Sequence, residues 1–91
     1  MAELIASGTT EADSADFTLA SGDQVTLFLK DAAGPQVAGD AAAIVQIKSA
    51  AGEYFNAGVV DAAHPAKVLS APGTYRVKRL ASSAAFGVDK V

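Results

Sequence analysis

Apolar and polar residues alternate with a period of two along most of this chain, the pattern of strands with one buried face. The clearest stretch is Gln24-Val25-Thr26-Leu27-Phe28-Leu29-Lys30. There Val25, Leu27 and Leu29 fall on one face, and Thr26, Phe28 and Lys30 on the other. Asp16-Phe17-Thr18-Leu19 alternates as well, and Ser21-Gly22-Asp23 reads as a tight turn between the two runs. The expectation is a β-hairpin over residues 16–30. Asp31-Ala32-Ala33-Gly34-Pro35 closes it, because glycine and proline do not continue a strand ladder cheaply, and a loop is expected from Ala32 to Ala42.

Ala43 to Ser49 is the next expected strand, with Val45 and Ile47 opposite Ile44, Gln46 and Lys48. Alanine favours helix over Asp40 to Ala51, but the β-branched run Ile44-Val45-Gln46-Ile47 argues for strand. Ala50-Ala51-Gly52 turns the chain into Glu53 to Val60, a second hairpin. Asp61-Ala62-Ala63-His64-Pro65 is a polar break before a short strand, Ala66 to Leu69. Ala71-Pro72-Gly73 is a turn, and Gly73 to Leu80 a strand with Tyr75 and Val77 on one side and Arg76 and Lys78 on the other. Ala85 to Val91 is the last strand, and Ala2 to Thr10 is either a first strand or an extended arm, the arm reaching at most to residue 15. The expectation is one all-β domain over residues 1–91. Its seven or eight short antiparallel strands form a compact immunoglobulin-like β-sandwich or a small barrel.

Composition adds limits. Of 91 residues 51% are hydrophobic, yet 21 of these are alanine, leaving 25 larger apolar side chains, enough for one small core. A chain of this length buries only about 60–65% of its unfolded surface, so association with other copies or with a larger body is an expected support. There is no cysteine and a single histidine, His64, so neither a disulfide nor a thiolate or histidine metal cluster can supply that support. Charge is uneven. Residues 1–40 hold seven acids and one lysine (−6), and residues 41–91 hold three acids and six bases (+3), which sum to the net −3. The simplest reading is that the two halves pair within one sandwich. A net negative chain is not expected to bind nucleic acid. No apolar run approaches the ~18 residues of a membrane span, and Met1 to Ile5 carries no signal-peptide pattern, so synthesis in a cytoplasm is expected.

Residues for catalysis are scarce. A Ser-His-Asp device would need His64, which precedes Pro65 in an expected loop. Asp13 and Asp16 are the closest aspartate pair but lie in a polar stretch with no apolar wall to shift a pKa. Asp23, Asp31, Asp40 and Asp61 each adjoin a turn, where aspartate caps backbone. No calcium-loop spacing and no phosphate-cradling glycine loop occurs. No enzyme activity, metal or cofactor is expected. Arg76 and Lys78 share a strand face and read as a solvated or salt-bridged surface, whereas Arg79 falls on the Tyr75/Val77 face, so it lies at the strand end or points into an interface.

Ala71 to Val77 carries a turn followed by G-x-Y, the entry of immunoglobulin-like sandwiches into their penultimate strand. Tyr75 is placed to bond back to upstream backbone as a tyrosine corner, although the cysteines and tryptophan of true immunoglobulin domains are absent. The F-T-L-x-x-G-D-x-V-T-L-x-L stretch (Phe17 to Leu29), the P-G-T-Y-R-V-x-R strand (Pro72 to Arg79) and F-G-V-D (Phe86 to Asp89) resemble small virion structural proteins of tailed bacteriophages. The resemblance is to the capsid decoration or cement type first, and to head-fibre and tail-surface proteins next. It implies a non-enzymatic virion protein made in the host cytoplasm. Such a protein binds and stabilises the major capsid protein lattice as a homo-oligomer, with a trimer favoured. The expected contact residues are Leu4 and Ile5 of the N-terminal stretch with Arg76, Lys78 and Arg79. The alternative is a receptor- or glycan-binding module of a head fibre or tail, with Tyr54 and Phe55 as a stacking platform unless they straddle a strand with one of them buried.

Overall fold

The computed structural model describes residues 2–30 and 39–91. Among these the chain forms nine antiparallel strands and no helix. They are β1 (Ala2–Gly8), β2 (Ala12–Asp13), β3 (Phe17–Leu19), β4 (Val25–Lys30), β5 (Ala42–Lys48), β6 (Tyr54–Asp61), β7 (Ala66–Leu69), β8 (Gly73–Arg79) and β9 (Phe86–Lys90). One sheet has the order β1-β9-β4-β7; the other has β2-β8-β5-β6, with β3 also against β8. The strand beyond the expected seven or eight is β2, two residues too short and polar to show any periodicity. The N-terminal stretch is no free arm, since β1 pairs with β9 from Ala2↔Lys90 to Gly8↔Phe86. The expected turn at Asp31 to Pro35 lies outside the described residues.

The alternation works as expected: Leu27, Leu29, Phe86 and Val88 of the first sheet face Ala43, Val45, Val60 and Val77 of the second, all essentially inaccessible. Burying such a side chain fully stabilises by roughly 1.5–3 kcal/mol, so this interior holds the two layers together.

Residues 16–30 are not a hairpin. The turn is present, with the Asp23 amide donating to the Ala20 carbonyl at 3.0 Å, the Ala20 amide donating to Asp23 Oδ2 at 3.0 Å, and Gly22 at φ +91°. The strands on either side of it join different sheets. β3 pairs with β8 (Phe17↔Tyr75, Thr18↔Thr74, Leu19↔Gly73), while β4 lies between β7 and β9. Phe17 and Leu19 therefore meet Val25, Leu27 and Leu29 across the core instead of beside them. Alternation states which face is buried and leaves the neighbouring strand open.

The second hairpin forms as expected, closed by the Ser49 amide on the Glu53 carbonyl at 2.7 Å and by Gly52 at φ +90°. Ladder pairs Val45↔Gly58 and Gln46↔Asn56 leave Ala57 without a partner, a β-bulge. The Tyr75 hydroxyl donates to the Ala71 carbonyl at 2.9 Å, so the tyrosine corner is present, with the Phe17 ring stacked on Tyr75 at 5.9 Å. Strand placement departs from the immunoglobulin sandwich in one respect. There the last strand neighbours the penultimate one. Here β9 sits in the opposite sheet from β8, between β1 and β4.

Candidate interaction surface

Arg79 shares the inward face with Tyr75 and Val77 and is 4% exposed. Its guanidinium crosses from the second sheet to the first. Nε donates to the Thr10 carbonyl at 2.9 Å, and Nη1 donates to the carbonyls of Ala6 and, at 3.2 Å, Phe86. The Phe86 ring centroid lies 6.0 Å from the guanidinium carbon. Gly8 makes room for this, because a Cβ there would stand 2.8 Å from Nη2. Arg79 is thus an internal staple at the point where the chain leaves β1 for β2, and its side chain is not presented to a partner. Ile5, at 6% exposure, belongs to the core, and Leu4 packs partly against it. Of the five expected contact residues, only Arg76 and Lys78 stand together on an outer face.

That outer face, on the second sheet, is a charge network. Arg76 donates from Nε to Gln46 Oε1 at 2.8 Å, lies 3.7 Å from Asp13 Oδ2, and stacks its guanidinium 3.7 Å over the Tyr54 ring. Lys78 pairs with Glu11 at 3.3 Å and Lys48 with Asp16 at 3.4 Å. In the first sheet Asp89, almost inaccessible, takes Lys30 at 3.0 Å. Three of these pairs join an acid of residues 1–40 to a base of residues 41–91, so the uneven halves of the sequence neutralise each other inside one molecule.

The Tyr54 hydroxyl donates to Asp16 Oδ1 and Oδ2 at 2.8 and 2.9 Å. That hydrogen bond, helped by Lys48 and opposed by partial desolvation, lowers the Asp16 pKa below its ordinary carboxylate value. The same bond holds the phenol proton and raises Tyr54 above its ordinary value near 10. The Asp16 contribution to stability is complete above the ordinary carboxylate value and lost as pH falls through the depressed one. The Tyr54 contribution is complete below the ordinary phenol value and lost as pH rises through the raised one. Both groups are exposed, so the contributions are small. Phenolate absorbance reads the pairing directly. In Asp16→Asn the Tyr54 titration, identified against Tyr54→Phe, should move to lower pH. An unmoved Tyr54 would show that the carboxylate does not hold its proton.

Tyr54 and Phe55 form no shared stacking platform. Tyr54 lies on the outer face beneath Arg76, and Phe55, on the inward side opposite Ile47, is 55% exposed at the sheet edge. Neither is the deeply buried partner that straddling the strand required. His64 sits in an exposed turn, its amide on Asp61 Oδ1 at 2.8 Å. Asp40 holds the amide and hydroxyl of Ser83 at 2.9 and 3.0 Å. Among the described residues no three of His, Asp and Glu gather to hold a metal ion, and no helix is long and apolar enough to cross a membrane. A shallow cleft of about 410 Å³ opens between β3 and the ends of β4 and β9, where the Lys90 ammonium lies 5.0 Å from the Phe17 ring.

Of the exposed large apolar side chains, Val91 lines that cleft and the others lie elsewhere. Phe55 and Val59 (54%) are on β6 and Val68 (61%) is on β7. These are edge strands of different sheets, and they meet where a Cβ on Gly58 would stand 2.6 Å from Lys67 Cε, so the lysine stem lies over Gly58. Sequence reasoning missed Val59 and Val68. Strict alternation puts Phe55, Ala57 and Val59 on one face, but the bulge at Ala57 resets the phase and sends Phe55 and Val59 to opposite faces. The available signal was Ala57-Gly58, a glycine inside a strand being a common mark of a bulge. Comparison with known protein families, with curated proteins and with solved structures returns no match.

Proposed function

We propose that this chain is a non-enzymatic structural protein of a bacteriophage virion, a decoration or cement protein that binds the major capsid protein lattice and stabilises it. The observation that supports the reading is the exposure of Phe55 and Val59 on β6 and of Val68 on β7, large apolar side chains left in solvent on two edge strands. Apolar groups gathered on one side and rimmed by polar residues mark contact surfaces. The sequence resemblance names the kind of partner. The charged face of the second sheet has already found its partners within the chain, which leaves the apolar side as the better candidate for the lattice. Many copies on a repeating shell would multiply weak individual contacts. Sedimentation with undecorated capsids tests the reading. The protein should pellet with the shells and saturate at a fixed number of copies per capsid. Protein that stays in the supernatant at every concentration removes it.

A further inference from the structure

The interior of the sandwich is closed along most of its length and less so at one end. Leu27, Leu29, Phe86 and Val88 are 0–2% exposed, whereas Phe17, Leu19, Val25 and Leu69 keep 7–8% of their surface in solvent. The register gathers these four: Val25 pairs with Leu69 in the first sheet, and Phe17 and Leu19 stand across the core on β3. The cleft of about 410 Å³ opens here, with Phe17, Leu19 and Val25 as its apolar walls.

Lys90 stands at this opening as an inward-pointing cation. In the ladder it pairs with Leu27, whose side chain is fully buried, so the Lys90 side chain leaves its sheet on the core side. Its ammonium lies 5.0 Å from the centre of the Phe17 ring. Lys30, Lys48, Arg76 and Lys78 each lie 3.0–3.7 Å from an acid, and among the described residues Lys90 has no such partner. The other polar groups of the opening are engaged locally. Asp23 Oδ2 takes the Ala20 amide at 3.0 Å within its own turn, and the Val91 carbonyl takes the Thr26 amide at 3.1 Å.

We propose that this cleft binds a small monocarboxylate with an apolar tail, the carboxylate on the Lys90 ammonium and the tail against Phe17, Leu19 and Val25. Small-molecule sites are mostly apolar, with a few polar groups that fix orientation, and hold about 300–1,000 Å³. The tail gains by leaving water at the part of the core that is still accessible. The carboxylate gains a charge-assisted hydrogen bond beside apolar walls, where a charge pair is stronger than in open water. Asp23, which also lines the cleft, repels a second negative charge, so a single carboxylate is favoured over a dicarboxylate or a phosphate. A cationic ligand would add to the Lys90 charge instead of answering it. Phe55, Val59 and Val68 take no part, so the cleft and the capsid reading stand or fall separately.

Titration of the isotope-labelled chain with phenylacetate, followed by amide NMR, tests it. The shifts should saturate and gather at residues 17–25 and 90–91. Phenylacetamide, of the same shape without the charge, should bind about tenfold more weakly, the scale of one hydrogen bond to a charged group. Lys90→Gln should bring phenylacetate down to the affinity of the amide. Lys67→Gln, which removes a lysine outside the cleft, should leave it unchanged. The comparison of acid with amide on the parent chain decides even where Lys90→Gln fails to fold. Equal binding of acid and amide, shifts scattered over the surface, or no saturation at millimolar phenylacetate overturns the proposal.

Discussion

Replacing Arg79 by methionine should destabilise the domain by roughly 1–3 kcal/mol, since three carbonyls lose their donor and one of them, on Phe86, is left buried and unsatisfied. The three are Ala6, Thr10 and Phe86, and they belong to β1, to the connection from β1 to β2, and to the start of β9. Methionine keeps much of the volume and removes the buried charge, which by itself favours folding. The loss therefore measures the carbonyls left behind. For a domain of this size each kcal/mol moves the melting temperature by about 4–8 °C, so a fall of roughly 4–24 °C is expected by circular dichroism. Arg76→Met on the opposite face of the same strand should change stability by less than about 1 kcal/mol, since that side chain works in half-exposed pairs. Equal losses in the two variants would mean that Arg79 contributes packing alone and does not staple the sheets.

Phe86→Ala should cost about 3–5 kcal/mol, the usual range for a large aromatic removed from a closed core. Phe86 is fully buried, stands at the first position of an inner strand of its sheet, and lies under the Arg79 guanidinium. A domain of 91 residues has a total stability of about 5–14 kcal/mol at typical values per residue, so this one change should remove a large share of it. Urea unfolding is the measurement. Val68→Ala, at a side chain 61% exposed, should stay within about 0.5 kcal/mol of the parent. A small loss at Phe86 would mean that its neighbours collapse into the space it leaves.

What the sequence made legible follows from what a period of two can encode. The inward sets Val25/Leu27/Leu29 and Tyr75/Val77 were readable because each strand carries its own alternation. Tyr75 was readable because a corner is local, four residues from donor to acceptor. The separation of β3 from β4 was not, since a turn of the same residues serves a hairpin and an arch between sheets equally well. Nor was the β6 surface, where one unpaired alanine reverses the phase of everything beyond it. Arg79 showed as an anomaly on an apolar face. Its resolution needed carbonyls from residues 69–73 positions earlier in the chain and 7 later, which no local pattern can hold. Of the expected contacts, Leu4 and Ile5 failed to stand out from core residues because an edge strand against a sandwich shows the same apolar spacing as a free arm.

β9 is an inner strand of the first sheet, flanked by β1 on one side and β4 on the other. β1 therefore waits for residues 86–90, and Ala2 comes to rest beside Lys90. Until residues 86–90 are in place, β1 and β4 have no common neighbour, and the sheet cannot be assembled in chain order. Closure of so long a loop is slow by the standards of local contacts, so the β1–β9 ladder is expected to form late in folding. The same adjacency means that a short linker joining Lys90 to Ala2 would allow new chain ends to be opened at an exposed turn, such as Ala50 to Gly52, with the β1–β9 ladder preserved.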